Sequence, residues 1–219
     1  MIAALNGSGT QVMPQQEPKT EICILAGGLS RRMGRDKARL RFGRLSLLGH
    51  VKKTALKTGF PVRIIRRDSI PRCGPLGGIY TALATTRANL LVFLPCDMPL
   101  ITSKLLLDSL KKLKPSHKAL FVSHNELIGF PFILRKDSSM PVVSNEIKSR
   151  RYSLENLARA LDAKILPSPR RWWPQMLNIN TQQDLAAARE RAGKFRQKAR
   201  NWPQACLSKP RTFTNVTLC

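Results

Sequence analysis

Short apolar runs alternate with segments of helical periodicity along most of this chain, and this alternation constrains the fold more than any other feature of the sequence. An apolar run bounded by turn residues is typical of a buried strand, whereas apolar positions three or four residues apart predict a helix that packs on a sheet. Strands that alternate with helices form mainly parallel sheets that helices cover on both faces. We therefore predict a three-layer α/β/α, Rossmann-like domain with a mainly parallel sheet.

The predicted elements follow from these patterns. Strands are expected at residues 21–26, 60–66, 89–94, 118–123, 130–134 and 176–179, and helices at residues 45–58, 79–86, 102–113, 153–161 and 182–191. Ligands of such sheets bind outside the carboxyl ends of the strands. Three loops with marked sequences each follow a strand, at residues 27–37, 68–78 and 95–99, so we expect them to form the functional site.

The length of 219 residues is enough for one domain with a well-buried core and too little for two large ones. We assign residues 21–192 to this domain, residues 1–20 to a flexible leader rather than a signal peptide, and residues 193–219 to a basic disordered tail. No run approaches the roughly 18 apolar residues that a membrane-spanning helix needs, so no membrane partner is expected.

Five cysteines, an odd number, are spread through the chain without C-x-x-C spacing or a neighbouring cluster of histidines. This pattern supports neither a zinc site nor a disulfide framework. Reduced thiols and a cytoplasmic location are therefore expected.

The net charge of +25 is the most unusual feature of the composition. Such a field attracts polyanions, for example nucleotides, phosphorylated cofactors, nucleic acid or anionic lipid. For most of the basic residues, a role in a solvated surface explains their presence as well as a functional role does. We therefore assign a functional role only to those inside a motif.

The first loop joins two adjacent glycines to basic residues directly after the first predicted strand. The glycines let the backbone approach a ligand closely, and the residues from 25 to 27 could offer backbone groups to a base or ribose. The arginine and the lysine farther along can reach phosphates. The spacing fits neither a Walker A loop nor G-x-G-x-x-G, and the plain alternative is a glycine turn with solvated basic residues. The candidate nucleotide-binding residues of this loop are Leu25, Ala26, Gly27, Gly28, Arg32 and Lys37.

Two carboxylates follow predicted strands. Asp97 comes just after the most apolar strand, where a carboxylate would face the ligand, and Mg²⁺ prefers carboxylate oxygens. A lone aspartate in this place, even between two prolines, is more often a cap or turn residue. Asp68 follows the second strand and could instead form a salt bridge with Arg66 or Arg67.

Residues 25–37 resemble the pattern L-A-G-G-x-S-x-R-M-G-x-D-K of the molybdenum cofactor guanylyltransferase family. Related cytidylyltransferases tend to have L-A-A-G at the start of this pattern, so Gly27 favours guanine. The resemblance covers about residues 21–188. Three further segments agree with the family in the same order: Gly74-Pro75-Leu76-Gly77-Gly78, Pro95-Cys96-Asp97-Met98-Pro99 and Asn178-Ile179-Asn180-Thr181-Gln182-Gln183-Asp184-Leu185.

The resemblance implies a nucleotide-diphospho-sugar-transferase-like fold and transfer of GMP from Mg-GTP to Mo-molybdopterin, with release of pyrophosphate. It implies that Asp97 and Lys37 are the catalytic residues, the first as the Mg²⁺ ligand and the second bound to the phosphates. Asp68 is implied as a nucleotide contact. The implied partners are GTP, Mo-molybdopterin and, transiently, molybdoenzymes or their chaperones.

Three features of the sequence concern the finer details of this resemblance. Residues 43–73 have room for about one strand-helix unit where the family has two, and they contain no asparagine that matches the one that touches the nucleotide. Asn180 could hold the molybdopterin side or cap the last helix, and we favour the cap. The basic segment 148–153 could lie near the pterin phosphate or be a solvated loop.

Alternatives from two classes stay open. A cytidylyltransferase or a nucleotide-sugar synthase of the same fold would use the same loops. A basic nucleic-acid-binding protein would use the charge, but the sequence lacks basic patches interleaved with aromatic residues outside Trp172-Trp173 and Trp202. Nucleic acid is therefore not the expected partner.

Overall fold

The computed structural model describes residues 19–27 and 37–190 and has a six-stranded sheet at its centre. The strands are β1 (Thr20–Leu25), β2 (Arg41–Phe42), β3 (Leu45–Ser46), β4 (Val62–Ile65), β5 (Leu90–Pro95), β6 (Ala119–His124), β7 (Leu127–Arg135) and β8 (Lys164–Pro167). The α-helices are α1 (Leu47–Leu56), α2 (Pro75–Thr85), α3 (Ser103–Leu110), α4 (Lys136–Lys148), α5 (Leu154–Ala160) and α6 (182–190). Two 3₁₀ helices span Lys37–Arg39 and Arg170–Gln175.

The strand order in the sheet is β4-β1-β5-β7-β6-β8, and β2 pairs with β3 in a separate hairpin. β1 runs parallel to β4 and β5, and β6 runs parallel to β8, whereas β7 is antiparallel to both of its neighbours. Because β7 reverses the direction on each side, β6 and β8 point the same way as β1, β4 and β5. The predicted mainly parallel sheet is therefore confirmed.

Helices cover both faces of the sheet, as a three-layer domain requires. Side chains alternate along a strand, so Ile22 and Ile24 of β1 pack on the side of α1 and α3, whereas Cys23 between them lies on the side of α2, α4 and α5. A third, smaller cluster joins the β2–β3 hairpin and the start of α1 to α6. The predicted α/β/α layering is thus confirmed.

Three phenylalanines hold the antiparallel strand to its neighbours. Phe93 of β5, Phe132 of β7 and Phe121 of β6 lie opposite one another in the register and are fully buried. The ring of Phe132 stacks on both others, at centroid distances of 4.9 Å to Phe93 and 4.6 Å to Phe121. This stack joins the β4-β1-β5 half of the sheet to the β6-β8 half.

The predicted helix starts are confirmed at two hydroxyl caps. The side chains of Thr102 and Ser153 each accept a hydrogen bond from the backbone N–H three residues later, at the starts of α3 and α5. The start of α2 was predicted too late, at residue 79. It begins at Pro75, because proline suits the first helical position and two glycines follow inside the first turn.

The predicted strand at residues 176–179 is wrong. This segment lies outside the sheet: Met176 ends the preceding 3₁₀ helix, and the Ile179 amide donates to the Asp97 carbonyl, at 2.9 Å. Besides the two-residue strands β2 and β3 and the two 3₁₀ helices, one α-helix and one strand of the central sheet were not predicted. The helix α4 contains Pro141 and several polar residues, which disguise its periodicity, and the strand β8 is short and only half-buried.

Residues 1–18, 28–36 and 191–219 lie outside the described part of the chain, so the leader and the tail stay predictions. No helix between residues 19 and 190 that the structure describes has the length and apolar character to cross a membrane. Three cysteines lie in the described part, Cys23, Cys73 and Cys96, and all of them are free thiols. Burial raises the pKa of Cys23 to about 12, so this thiol is a core residue rather than a nucleophile.

We expect Phe132→Ala to lower the free energy of unfolding by about 3–5 kcal/mol, because it leaves a cavity between two stacked rings. Urea denaturation measures the change. Leu56→Ala is the control, since this side chain at the end of α1 is 55 % exposed and should cost no more than about 0.5 kcal/mol. Equal losses in the two variants would contradict the importance of the stack.

Candidate functional site

The three parallel strands β4, β1 and β5 end at the same level. Leu25 of β1 lies opposite Ile65 on one side and Pro95 on the other. Two backbone hydrogen bonds extend this pairing, from the Ala26 amide to the Ile65 carbonyl at 2.8 Å and from the Cys96 amide to the Leu25 carbonyl at 3.2 Å. The loops that follow these strands therefore leave the sheet side by side, as the sequence predicted for a ligand site.

Asp68, in the loop after β4, packs against three glycines. A Cβ atom added at Gly77 would lie 2.9 Å from Asp68 Oδ2, and one added at Gly78 would lie 3.3 Å from Oδ1. A Cβ atom at Gly27 would lie 3.4 Å from the same Oδ1 and 3.1 Å from the Arg66 carbonyl oxygen. Only glycine lets the backbone approach the carboxylate this closely, so these positions and Asp68 form one packed unit.

The environment of Asp68 is partly desolvated. Burial raises the pKa of its carboxyl above the ordinary value. The salt bridge that Arg66 or Arg67 could have formed with it is absent from the described residues, in which no donor pairs with this carboxylate. A half-buried acceptor at the edge of the sheet is suited to a hydrogen-bond donor on a ligand.

The helix α2 begins beside Asp68. Gly74 precedes it in a left-handed conformation, with φ of 55°, and offers no side chain to cap the first turn. A helix N-terminus carries partial positive charge and unpaired N–H groups, which favours an anion nearby. Tyr152 packs on the other side of Gly74, with its carbonyl oxygen 3.5 Å from an added Cβ, so the segment 148–153 borders the same helix start.

Asp97 lies in the turn between β5 and α3. Its carbonyl accepts the hydrogen bond from the Ile179 amide, and the side chains of Met98 and Ile101 anchor the turn in the core, each 2 % exposed. Thr102 then caps α3. The Asp97 side chain is half-buried and stands at the level where β1 and β5 end. Both ends of the turn are thus fixed, which limits the movement of this carboxylate.

A magnesium ion fits this turn. The described residues contain no group of three or more histidine, cysteine, aspartate or glutamate side chains that could enclose a metal. Mg²⁺ does not need such a cage, because it commonly takes one or two carboxylates and fills its other positions with phosphate oxygens and water. A single carboxylate that is held at the edge of the sheet has this character.

The structure narrows what Leu25, Ala26 and Gly27 can offer a ligand. The Leu25 carbonyl and the Ala26 amide already take part in the pairing with Cys96 and Ile65, and the Leu25 side chain packs against Gly78. Gly27 is exposed at the end of this run. The backbone groups left for a nucleoside are therefore those of Gly27 and the Ala26 carbonyl.

The other predicted residues of the first loop are not described. Gly28 and Arg32 lie outside the described residues, and of Lys37 only the backbone is described, as the first residue of a 3₁₀ helix. The next residue, Ala38, is buried against the core below α1. The described structure thus fixes the chain on both sides of residues 28–36.

In the segment 178–185, Thr181 and Asp184 have a structural role at the start of α6. Asp184 Oδ2 accepts hydrogen bonds from the amides of Asn180 and Thr181, each at 2.8 Å, and the Asp184 amide donates to Thr181 Oγ1 at 3.1 Å. This is a reciprocal cap at the start of α6. The cap residue is therefore Thr181, one position after the Asn180 that we favoured.

The basic segment 148–153 is tied to the fold by an ion pair. Arg151 donates to both carboxylate oxygens of Glu146, at 2.9 and 2.5 Å, and Glu146 is almost fully buried. The Arg151 guanidinium lowers the pKa of Glu146. Arg151 is thus committed to a structural bond, whereas its neighbour Arg150 is exposed.

The sequence did not predict that the ends of β6 and β8 belong to this edge of the sheet. The ends of β6 and β8 point to the same edge of the sheet as β1, β4 and β5, and they bring His124 next to Trp173. The adjacent arginines and tryptophans at residues 170–173 could have indicated a ligand site in the sequence. Because β8 was not predicted, however, these residues could not be assigned to this edge of the sheet.

Known proteins resemble this chain in sequence and in fold. The family model of the MobA-like NTP transferase domain matches residues 22–164. The molybdenum cofactor guanylyltransferase of Acinetobacter baumannii is 30 % identical over 170 residues, which cover 68 % of this chain and 81 % of that protein. The chain spans about half, 54 %, of the length of a molybdenum cofactor guanylyltransferase from Haemophilus influenzae, with 38 % identity over 108 residues.

The fold has solved counterparts. The crystal structure of molybdopterin-guanine dinucleotide biosynthesis protein A from Archaeoglobus fulgidus matches with a TM-score of 0.61 at 19 % sequence identity, covering 80 % of this chain and 99 % of that one. At this identity the likeness concerns the fold alone. It confirms the predicted nucleotide-diphospho-sugar-transferase-like architecture.

We expect Asp68→Asn to melt at a higher temperature than the wild type at neutral pH. A carboxyl whose pKa is higher in the folded than in the unfolded protein weakens the fold once it ionises, and asparagine removes that cost with little change of shape. The gain should vanish below the ordinary pKa of 3.8, where the carboxyl is neutral in both states. Thermal melts at the two pH values measure it.

The control for this prediction is Asp137→Asn, which changes an exposed carboxylate in the first turn of α4. Its melting temperature should show no such gain at neutral pH. A lower melting temperature for Asp68→Asn at neutral pH would mean that the carboxylate stabilises the fold, against the expectation.

Proposed function

Because the chain belongs to the family of the MobA-like NTP transferase domain, we propose that it transfers GMP from Mg-GTP to Mo-molybdopterin and releases pyrophosphate. Membership in this family makes the protein a nucleotidyltransferase. The observation that carries the finer proposal is that Gly27, Asp68 and Asp97 follow the three strands β1, β4 and β5, which end level, and that Gly27 lies against Asp68.

The proposed nucleotide lies across this edge. Gly27 and the Ala26 carbonyl hold the nucleoside by backbone contacts, and the Asp68 carboxylate accepts a hydrogen bond from it. Lys37, on the chain just beyond the loop, binds the phosphates together with Gly28 and Arg32. The net charge of +25 raises the local concentration of such an anionic substrate.

The reaction is a displacement at the α-phosphorus of GTP. A terminal phosphate oxygen of the pterin forms the new bond, and the bond from the α-phosphorus to the bridging oxygen of the pyrophosphate breaks. The attacking phosphate is already ionised, so no general base is required. The protein contributes position and charge stabilisation, as in other phosphoryl-type transfers.

Asp97 is the proposed ligand of Mg²⁺. When bound, this ion neutralises charge that develops between the phosphates and orients them. The fixed turn around Asp97 holds the carboxylate at the edge of the sheet, and Lys37 stabilises the leaving pyrophosphate. No further protein ligand is invoked, which suits the preference of Mg²⁺ for phosphate oxygens and water.

The choice of guanine rests on the first loop. The L-A-G-G start favours guanine over cytosine, whereas residues 43–73 supply one helix, α1, and one strand of the central sheet, β4, without an asparagine. A cytidylyltransferase and a nucleotide-sugar synthase are the alternatives that the specificity test separates.

The setting of the reaction follows from the same proposal. The free thiols of Cys23, Cys73 and Cys96 suit a reducing compartment, and we place the enzyme in the cytoplasm. The dinucleotide product passes by transient contact to molybdoenzymes or their chaperones.

We expect the purified protein with Mg²⁺ and Mo-molybdopterin to use GTP at least about tenfold more efficiently than CTP, a difference of roughly 1.4 kcal/mol in transition-state binding. The ratio of kcat/KM for the two nucleotides measures it, beside assays with sugar 1-phosphates as acceptors. Faster use of CTP would make the protein a cytidylyltransferase, and preference for a sugar 1-phosphate would make it a nucleotide-sugar synthase.

Asp97→Ala and Lys37→Ala should each lower kcat/KM by about two orders of magnitude or more, because each removes a group that stabilises charge in the transition state. Asp137→Ala and Lys52→Ala are matched controls with exposed side chains on α4 and α1, and they should keep near wild-type activity. Unchanged turnover in the Asp97 and Lys37 variants would refute the assignment of the site.

Gly77→Ala should raise the Kd for Mg-GTP by about tenfold or more, since its methyl group would lie 2.7 Å from the Ile70 carbonyl oxygen and displace Asp68. Isothermal titration measures the affinity. The control is Gly129→Ala in β7, where an added Cβ meets nothing within 4 Å. Equal affinities for the two variants would show that the packing of Asp68 does not matter for the nucleotide.

A further inference from the structure

An ordered aromatic cluster lies at the ends of β6 and β8. The rings of His124 and Trp173 meet edge to face with centroids 5.7 Å apart, and the Arg170 guanidinium stands 5.9 Å from the Trp173 ring. The Trp173 Nε1 donates to the Ser168 carbonyl at 3.1 Å, and the Ser168 hydroxyl is 3.0 Å from His124 Nδ1. We call these four residues the tryptophan cluster.

The tryptophan cluster holds its indole at the surface. Trp173 is 44 % exposed, whereas its neighbour Trp172 is buried in the core with 4 % exposure. Leu127, which pairs with His124 across the hairpin, is 77 % exposed and is a second exposed apolar side chain at this end of the sheet. An indole that is fixed by a hydrogen bond and yet exposed is costly to leave in water and is suited to stacking on a planar ligand.

The chain itself connects the tryptophan cluster to Asp97. After β8, the 3₁₀ helix Arg170–Gln175 runs to Gln175, whose Oε1 accepts from the Thr102 hydroxyl at 2.7 Å. The same segment then reaches Ile179, whose amide donates to the Asp97 carbonyl. Residues 168–179 therefore lie along the carboxyl edge of the sheet, from β8 to the turn that holds Asp97.

The distance suits one small molecule. Only β7 separates β5 from β6 in the sheet, so Phe93 and Phe121, which both pair with Phe132, lie two inter-strand spacings apart, roughly 10 Å. Asp97 follows β5, and His124 ends β6. A planar heterocycle that is joined to a terminal phosphate spans about this distance. Its ring would reach the tryptophan cluster while its phosphate lies at Asp97.

We infer that the tryptophan cluster is the subsite for the ring of the acceptor, a planar heterocycle of the pterin class that carries a phosphate ester. This inference rests on the proposed function. The ring stacks on the exposed indole of Trp173, and Arg170, whose guanidinium lies over the indole with Cζ 5.9 Å from the ring centroid, attracts the anionic acceptor and forms hydrogen bonds with its oxygens. No covalent step occurs at the cluster, which positions the acceptor and sets its specificity.

Equilibrium binding of a pterin phosphate tests the subsite without the need for turnover. The probe is neopterin monophosphate, titrated against the full-length protein by calorimetry. We expect Trp173→Ala to raise the Kd of this probe by about tenfold, in the range found when an aromatic stacking partner is removed, and Trp173→Phe to retain most of the affinity. Arg170→Ala should weaken binding by a smaller factor that shrinks as salt is added.

Two matched controls lie away from this edge. Leu56→Ala removes an exposed apolar side chain at the end of α1, and Arg159→Ala removes an exposed arginine from α5. Both should bind the probe as the wild type does. The affinity for Mg-GTP should be unchanged in Trp173→Ala, and the KM for Mo-molybdopterin should rise while kcat falls little.

The outcomes separate this inference from the proposed function. A Kd for the probe within about twofold of the wild type in Trp173→Ala would overturn the subsite, even if GMP transfer is intact. Equal weakening of Mg-GTP binding would assign the tryptophan cluster to the nucleotide instead, and displacement of the probe by single-stranded RNA alone would assign it to nucleic acid. Binding of the probe without any transfer would leave the subsite standing and refute the proposed function.

Discussion

The level ending of β4, β1 and β5 is the constraint on which the site depends. Parallel pairing sets Leu25 opposite both Ile65 and Pro95, so three loops leave the sheet at one height. A slip of one residue in β1 would turn Ile22 and Ile24 toward the wrong layer of helices, and burial therefore fixes the register strongly. The hydrophobic core thus sets the geometry of a polar site that lies outside it.

Close packing around Asp68 shows how the fold places a carboxylate that it does not itself need. Gly27, Gly77 and Gly78 make room for the side chain; Gly27 follows β1, whereas Gly77 and Gly78 lie in the first turn of α2. The carboxyl is partly desolvated, which raises its pKa and weakens the fold at neutral pH. Functional sites commonly carry such local costs, because groups are arranged there for a ligand rather than for stability.

The fold could be predicted further from the sequence than the site could. Strands such as β5 are almost wholly apolar and helices such as α3 have clear periodicity, so their positions follow from burial alone. The helix α4 was not predicted because Pro141 and several polar residues interrupt its apolar periodicity. The strand β8 was not predicted because it is short and only half-buried. The sequence of segment 176–179 resembles that of a strand, but its Ile179 amide forms a hydrogen bond with the carbonyl of Asp97, which lies in a turn. Whether such a segment joins a sheet depends on its pairing partners and not on its β-propensity alone.

Within the candidate site, the motifs predicted three loops that follow level strand ends, but they did not predict which backbone and side-chain atoms are available to a ligand. Tertiary contacts alone show which groups are already engaged. The Leu25 carbonyl and the Ala26 amide are used inside the sheet, and Arg151 is bound to the buried Glu146. The tryptophan cluster could not be predicted from the sequence for the same reason. Its members come from β6 and from the segment after β8, which become neighbours only once the strand order is known.

The antiparallel strand β7 is what brings the two halves of this edge together. A parallel strand in its place would need a crossover connection after β6, whereas β7 follows β6 directly through a tight hairpin. Because β7 is antiparallel to both of its neighbours, β6 runs in the same direction as β5. The carboxyl ends of β6 and β8 therefore face the same side as the ends of β4, β1 and β5. Asp97, after β5, stands next to the boundary between these halves, so a nucleotide on one side and an acceptor on the other would meet at its carboxylate.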